Sequence, residues 1–185
     1  MLHEDSPLIG YLPDEHMDLI KQGFYILDFV LEDREKKFED YSFVVFPFAK
    51  MYEGFLKKIF LDAGYITRED YLSKHFRIGR VMSPHLKHKL RKQSVYGKIC
   101  DEVGCELSEE IWNTWTFARN QVFHFFPENV RSLTLKEAQD LIDALIANME
   151  HVVMEVQIQN VRTKLSKLSH DEVKKLRSEK KTLQV

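Results

Sequence analysis

Glycine and proline are scarce in this chain, seven and five among 185 residues. So few turn formers over such a length favour helices and weigh against a fold of many tight turns. Cysteine is rarer still. Cys100 and Cys105 are too few for a disulfide framework and lack zinc-ligand spacing, which predicts idle thiols or small packing residues in a reducing cytoplasm. An excess of one charge is also missing: 27 Lys and Arg face 29 Asp and Glu, so the whole-molecule field offers no attraction to a polyanion. Any such attraction has to come from local patches. Long apolar runs are absent too. The most apolar window, Phe43 to Ala49, is far too short to span a bilayer, and His3, Glu4 and Asp5 interrupt any N-terminal signal. These absences predict an all-α, cytoplasmic protein of one domain with no membrane partner.

What is present is helical periodicity. Residues 1–13 carry Pro7, Gly10 and Pro13 and read as an irregular lead-in. Asp14 can cap a helix reaching about Lys36, with Met17, Ile20, Phe24, Leu27 and Leu31 as its apolar stripe. A second helix, Tyr41 to Ala63, closes on Gly64. Pro47 inside it should kink it or mark its true first turn. Glu53 stands among bulky apolar neighbours, either as a site carboxylate or as an i,i+4 partner of Lys57. A short helix from Val95 to Val103 ends at Gly104, and a long one runs from Leu135 to about Arg162. The helical domain thus covers 14–162, and 163–185 read as a charged helix or tail serving RNA contact or solubility.

Between Lys74 and Lys98 there is no acidic residue. Arg77, Arg80, Lys87, Lys89, Arg91 and Lys92 accumulate there, and Gly79 and Pro84 predict a loop with a short helix. Clustered cations of this kind either contact the phosphates of a nucleic acid or simply face solvent. His85 and His88 could begin a metal site, but no third ligand is in evidence, so no metal or cofactor is expected. A nucleotide-binding role finds no phosphate loop.

The stretch SEEIWNTWTFARNQVFHFFP, Ser108 to Pro127, reads as one helix. Ser108 is a natural N-cap, Glu109 and Glu110 follow in the first turn, and Pro127 ends the helix. Its stripe is Ile111, Trp115, Ala118, Val122 and Phe126. Late in it fall Arg119, Asn120 and His124. Asn120 and His124 stack at i,i+4, whereas Arg119 lies about 140° away from His124 on an ideal helix. Those two meet only through arginine's reach, a distortion of the helix, or a second copy of the chain. Otherwise Arg119 is a surface cation and His124 a charge at a helix end. Arg80 with His85, and Arg68 with His75, show comparable spacings without a helical frame.

RNQVFH at 119–124, late in a helix of an all-α chain, resembles the R-x4-6-H signature of the HEPN superfamily, in which Asn is a preferred residue after the Arg. The order of helices over about 14–160 is also similar, implying a HEPN-like helical bundle of about five to six helices. FPFAKMYEGFLKKIF resembles the HEPN part of RNase LS-type toxins. The resemblance implies a metal-independent endoribonuclease acting as a homodimer. Arg119, Asn120 and His124 would be catalytic, Asn120 by orienting His124 or the phosphate, and an antitoxin protein would be a partner. Phe126 stands where some of these toxins carry a modified Tyr, which departs from that control mechanism. The alternative is a non-catalytic all-α dimer that binds RNA or a partner protein.

Overall fold

The computed structural model describes residues 2–32, 37–124 and 132–182, with side chains of the last helix described as far as residue 159. Among these residues every regular element is helical. In chain order they are α1 (Asp14–Glu32), α2 (Ser42–Asp62), α3 (Arg68–Leu72), α4 (Ile78–Val81), α5 (Lys87–Leu90), α6 (Val95–Glu102), α7 (Cys105–Trp115) and α8 (Leu135–Thr182). Three of the eight, α3 to α5, are about one turn long, the last two in the basic middle of the chain, which accounts for the excess over the five or six expected from periodicity.

Helix α2 is the axis of the bundle. It buries Val44, Val45, Phe48, Ala49, Met51, Tyr52, Phe55, Leu56, Ile59 and Phe60, an apolar set that goes most of the way round and marks a helix enclosed by neighbours. Helix α1 covers one side through Ile20, Leu27 and Val30. Two glycines permit the close approach. A Cβ on Gly23 would come within 2.5 Å of the Phe48 ring, and one on Gly54 would collide with the His16 imidazole. Phe24 meets Phe48 edge-to-face at 5.1 Å. Leu31, assigned to the stripe by its spacing, is instead 43% exposed, and Val30 takes its place. Pro47 does not start α2. The helix begins at Ser42 and runs through the proline, whose ring is buried in the core.

On the other side lies α8, opened by a capping box in which Glu137 accepts from the Thr134 N–H at 2.8 Å and Thr134 Oγ1 accepts from the Glu137 N–H at 3.2 Å. Ala138, Ile142, Leu145, Met149, Val152, Val153 and Val156 are buried along it, the stripe its periodicity predicts. The backbone stays helical past residue 162 to Thr182, so the charged segment continues α8. The lead-in is irregular but anchored. Leu8 and Leu12 are buried, Ser6 Oγ donates to Glu150 Oε1 at 2.5 Å, and Tyr11 donates to Asp62 at 2.8 Å.

The cysteines are not idle thiols: Cys100 and Cys105 form a disulfide across the joint between α6 and α7. That joint turns on Gly104, whose φ of +146° is accessible to glycine. Among the described residues no helix is long and apolar enough to cross a membrane.

Candidate active site

Helix α7 starts three residues before the expected cap, with Gly104 at the N-cap position. Ser108 is therefore inside the helix and buried, and its hydroxyl donates to the Tyr96 carbonyl at 2.9 Å, tying α7 to α6. The helix also fails to run to Pro127 as α-helix. Over Thr116–Asn120 it widens into a π-turn, closed by the Gln121 N–H donating to the Thr116 carbonyl at 2.9 Å. Such single-turn widenings occur often at functional sites. Phe126 and Pro127 lie outside the described residues.

The helical frame stops at Asn120. Gln121 to Phe123 form a turn and bend in which the Phe123 N–H donates to the Arg119 carbonyl at 3.3 Å, so the 140° separation of an ideal α-helix does not apply between Arg119 and His124. Arg119 and His124 accordingly line one cleft of about 390 Å³, together with Phe46, Ala49, Lys50, Glu53 and Phe123. Their place on a common surface within one chain goes with the departure from α-helical geometry over residues 116–123.

Arg119 is held from two directions. Its guanidinium carbon lies 4.9 Å from the centroid of the Trp115 ring, a cation–π contact within the same helix. Its Nη2 donates to Glu53 Oε2 at 3.2 Å, and the other oxygen of Glu53 lies 3.5 Å from Lys57 Nζ. Glu53 thus pairs with Lys57, as its i,i+4 spacing suggests, and with Arg119 as well. The Arg119–Glu53 pair is about one-third exposed, so its net contribution to stability is about 0–1 kcal/mol, and its main effect is to orient the fork. His124 is exposed at the mouth of the cleft. Phe123 packs edge-to-face on Phe46 at 5.7 Å and walls one side.

Asn120 belongs to the π-turn but does not line the cleft. Lys50 does, and sequence reasoning left it out of the site. The available signal was its i,i+3 relation to Glu53 on the same side of α2. Sequence reasoning also missed a polar chain through the bundle. The Tyr52 hydroxyl, fully buried, donates to Asn148 Oδ1 at 2.5 Å. Asn148 Nδ2 donates to Glu110 Oε1 at 2.8 Å, and Glu110 Oε2 meets His151 Nδ1 at 2.7 Å. Burial pushes the Tyr52 phenol well above its ordinary value, with the Glu110 charge adding to the shift. This chain links α2, α7 and α8 behind the cleft.

The basic segment divides between two hollows. Arg77, Arg80 and Lys92 line the first, while Lys87, Arg91 and Lys92 line the second, and Lys89 belongs to neither. Its helix α4 touches the motif helix: a Cβ on Gly79 would stand 3.2 Å from Trp115 Nε1. Among the described residues no group of three or more His, Cys, Asp or Glu could hold a metal ion, so His85 and His88 gain no third ligand there.

Comparison with known proteins returns no matching family model, no matching curated protein and no matching solved structure. What the fold defines is therefore a class, an all-α bundle with a cationic cleft at a π-turn.

Proposed function

We propose that this protein is a metal-independent endoribonuclease of HEPN type, the toxin of a toxin–antitoxin or defence pair, acting as a homodimer in the cytoplasm. The observation that carries the reading is the shared cleft of Arg119 and His124, with Arg119 already oriented by Glu53 and Trp115. RNA brings its own nucleophile, so a positioned acid–base group and a phosphate-binding fork suffice. His124 takes the 2′-OH proton or supplies one to the departing 5′ oxygen, a role suited to an imidazole near neutrality. The 2′ oxygen bonds to phosphorus as the bond to O5′ breaks, giving a 2′,3′-cyclic phosphate and a 5′-OH. Arg119 binds the phosphate and its developing charge through forked donors. Asn120, one residue beyond Arg119, orients His124 or the phosphate by hydrogen bonds. Each cleft holds one His124, so a second copy supplies the other proton-transfer group. Exposed Phe46 and Phe117, near the cleft and in the π-turn, offer apolar surface for that copy.

The test is cleavage of RNA in EDTA. Wild type should cut RNA and spare DNA, and His124→Ala or Arg119→Ala should each lose about 10²–10⁴ in rate. Cleavage that persists in His124→Ala removes the imidazole from the mechanism. A second reading, a non-catalytic dimer that binds RNA, is favoured by the exposed Arg80, Lys89, Arg91 and Lys92. It requires no cleavage at any protein concentration and a binding constant that falls steeply with salt.

A further inference from the structure

The first basic hollow, about 500 Å³, is built by the successive short elements of residues 64–98 folding round it. Arg77 and Arg80 come from either end of α4, Lys92 from the turn after α5, and Lys98 from α6. Its carboxylate, Asp70, is already engaged, because both its backbone and side chain form the capping box of α3 with Thr67. Two of the four cations are fixed in place. Lys98 Nζ donates to the Tyr65 carbonyl at 2.6 Å, and Arg77 Nη1 donates to the Lys74 and Phe76 carbonyls at 2.7 and 3.1 Å. The Nη2 and Nε donors of Arg77 stay available. Arg80 and Lys92 are exposed and make no ion pair among the described residues.

A second hollow of about 570 Å³ shares Lys92 and Lys98 with the first and adds Lys87 and Arg91, against one carboxylate, Asp101. In the lining of the second hollow the backbone is strained: Arg91 has φ +50°, an arrangement non-glycine residues avoid and one that recurs at ligand-binding segments. Each volume falls within the range of about 300–1,000 Å³ typical of small-ligand sites. The apolar lining of the first hollow is the half-buried Phe76 together with Tyr65, Ile66, Val81 and Leu90.

We propose that the paired hollows bind a nucleoside carrying two or more phosphates. The phosphates lie on Arg77, Arg80, Lys92 and Lys98, and the base rests against Phe76. Several cations spread over two adjoining hollows suit a chain of phosphates better than a single one, since each phosphate can then meet its own forked or point-charge partner. An aromatic wall next to that charge suits a base, whose flat face stacks irrespective of its identity. The site uses side chains in place of a phosphate loop, and it stands apart from the Arg119 cleft. Such a ligand is either a free nucleotide or the 5′-triphosphate end of an RNA.

Calorimetric titration distinguishes these sources. Wild-type protein is titrated with ATP, adenosine and tripolyphosphate, and with one oligoribonucleotide carrying either a 5′-triphosphate or a 5′-OH. ATP should bind at least tenfold more tightly than adenosine and than tripolyphosphate. Arg80→Glu/Lys92→Glu, two exposed positions, should lose at least tenfold for ATP with an unchanged thermal midpoint, and Phe76→Leu should lose affinity for ATP but not for tripolyphosphate. If the free nucleotide is the source, the two oligonucleotides bind alike; if the RNA end is, the 5′-triphosphate form binds at least tenfold more tightly. Equal binding of ATP and adenosine, equal binding of ATP and tripolyphosphate, or full ATP affinity in the double-charge variant overturns the proposal.

Discussion

Tyr52→Phe removes one oxygen atom from the centre of the bundle, and its cost can be worked from the contacts. The hydroxyl is fully buried and donates to Asn148 Oδ1 at 2.5 Å, while Asn148 itself is 2% exposed. The phenylalanine ring refills the space, so no cavity follows. What is lost is a buried hydrogen bond, and what is left is an amide oxygen cut off from water, at a cost of about 1–3 kcal/mol. For a chain of this size a loss of about 2 kcal/mol lowers the thermal midpoint by roughly 4–8 °C. Urea unfolding followed by circular dichroism gives the value directly. Asn148→Leu combined with Tyr52→Phe should cost less than the two singles summed, because the stranded oxygen is then gone. The same variant carries a signature at high pH. Tyr11, Tyr52 and Tyr65 all hold their protons above the ordinary phenol value, mainly through burial. The unfolded chain ionises near pH 10 while the folded phenols stay neutral, so stability is intact below about pH 10 and falls above it, by about 1.4 kcal/mol per pH unit for each phenol. Tyr52→Phe should make that fall shallower by one phenol's share. A variant as stable as wild type at pH 7, with an unchanged alkaline slope, would refute the reasoning.

His16 has a buried, unpartnered Nδ1, and burial lowers its pKa. Its neutral form is the folded one, so stability should decline as pH falls below about 6.5; His16→Leu should flatten that part of an acid titration followed by fluorescence. Thr116 Oγ1 is buried without a hydrogen-bond partner at the head of the π-turn. Thr116→Val therefore breaks no bond, and its unfolding free energy should lie within about 1 kcal/mol of wild type. Glu53→Gln should leave stability within about 1 kcal/mol, since its pairs are partly exposed. RNA cleavage by the same variant should drop about tenfold, equivalent to about 1.4 kcal/mol of lost orientation of Arg119.

The helical frame was legible wherever composition and local sterics agree. Gly64 and Gly104 both take positive φ at helix ends, and the stripe from Ala138 to Val156 is buried as its spacing demands. Ser108 misled because a serine followed by two glutamates is a strong local cap signal, while Gly104 four residues earlier turns the chain through a conformation that only the fold around it selects. The π-turn left no trace in the pattern, since Trp115, Ala118 and Val122 satisfy α-helical spacing equally well. The pairing of Glu53 with Arg119 spans 66 positions and is set by packing of α2 against the π-turn. Glu110 read as a first-turn charge for the same reason that Ser108 read as a cap, and its true partners lie on α8.

Trp115 gives the molecule a built-in optical probe. One indole carries the Arg119 cation over its ring and the backbone of α4 at its nitrogen, so a phosphate that draws the guanidinium away and a ligand that shifts the basic segment both alter the same emission. With only two tryptophans in the chain, Trp112→Phe leaves a single reporter poised at the border between the two surfaces. Occupancy of either one can then be followed without a label.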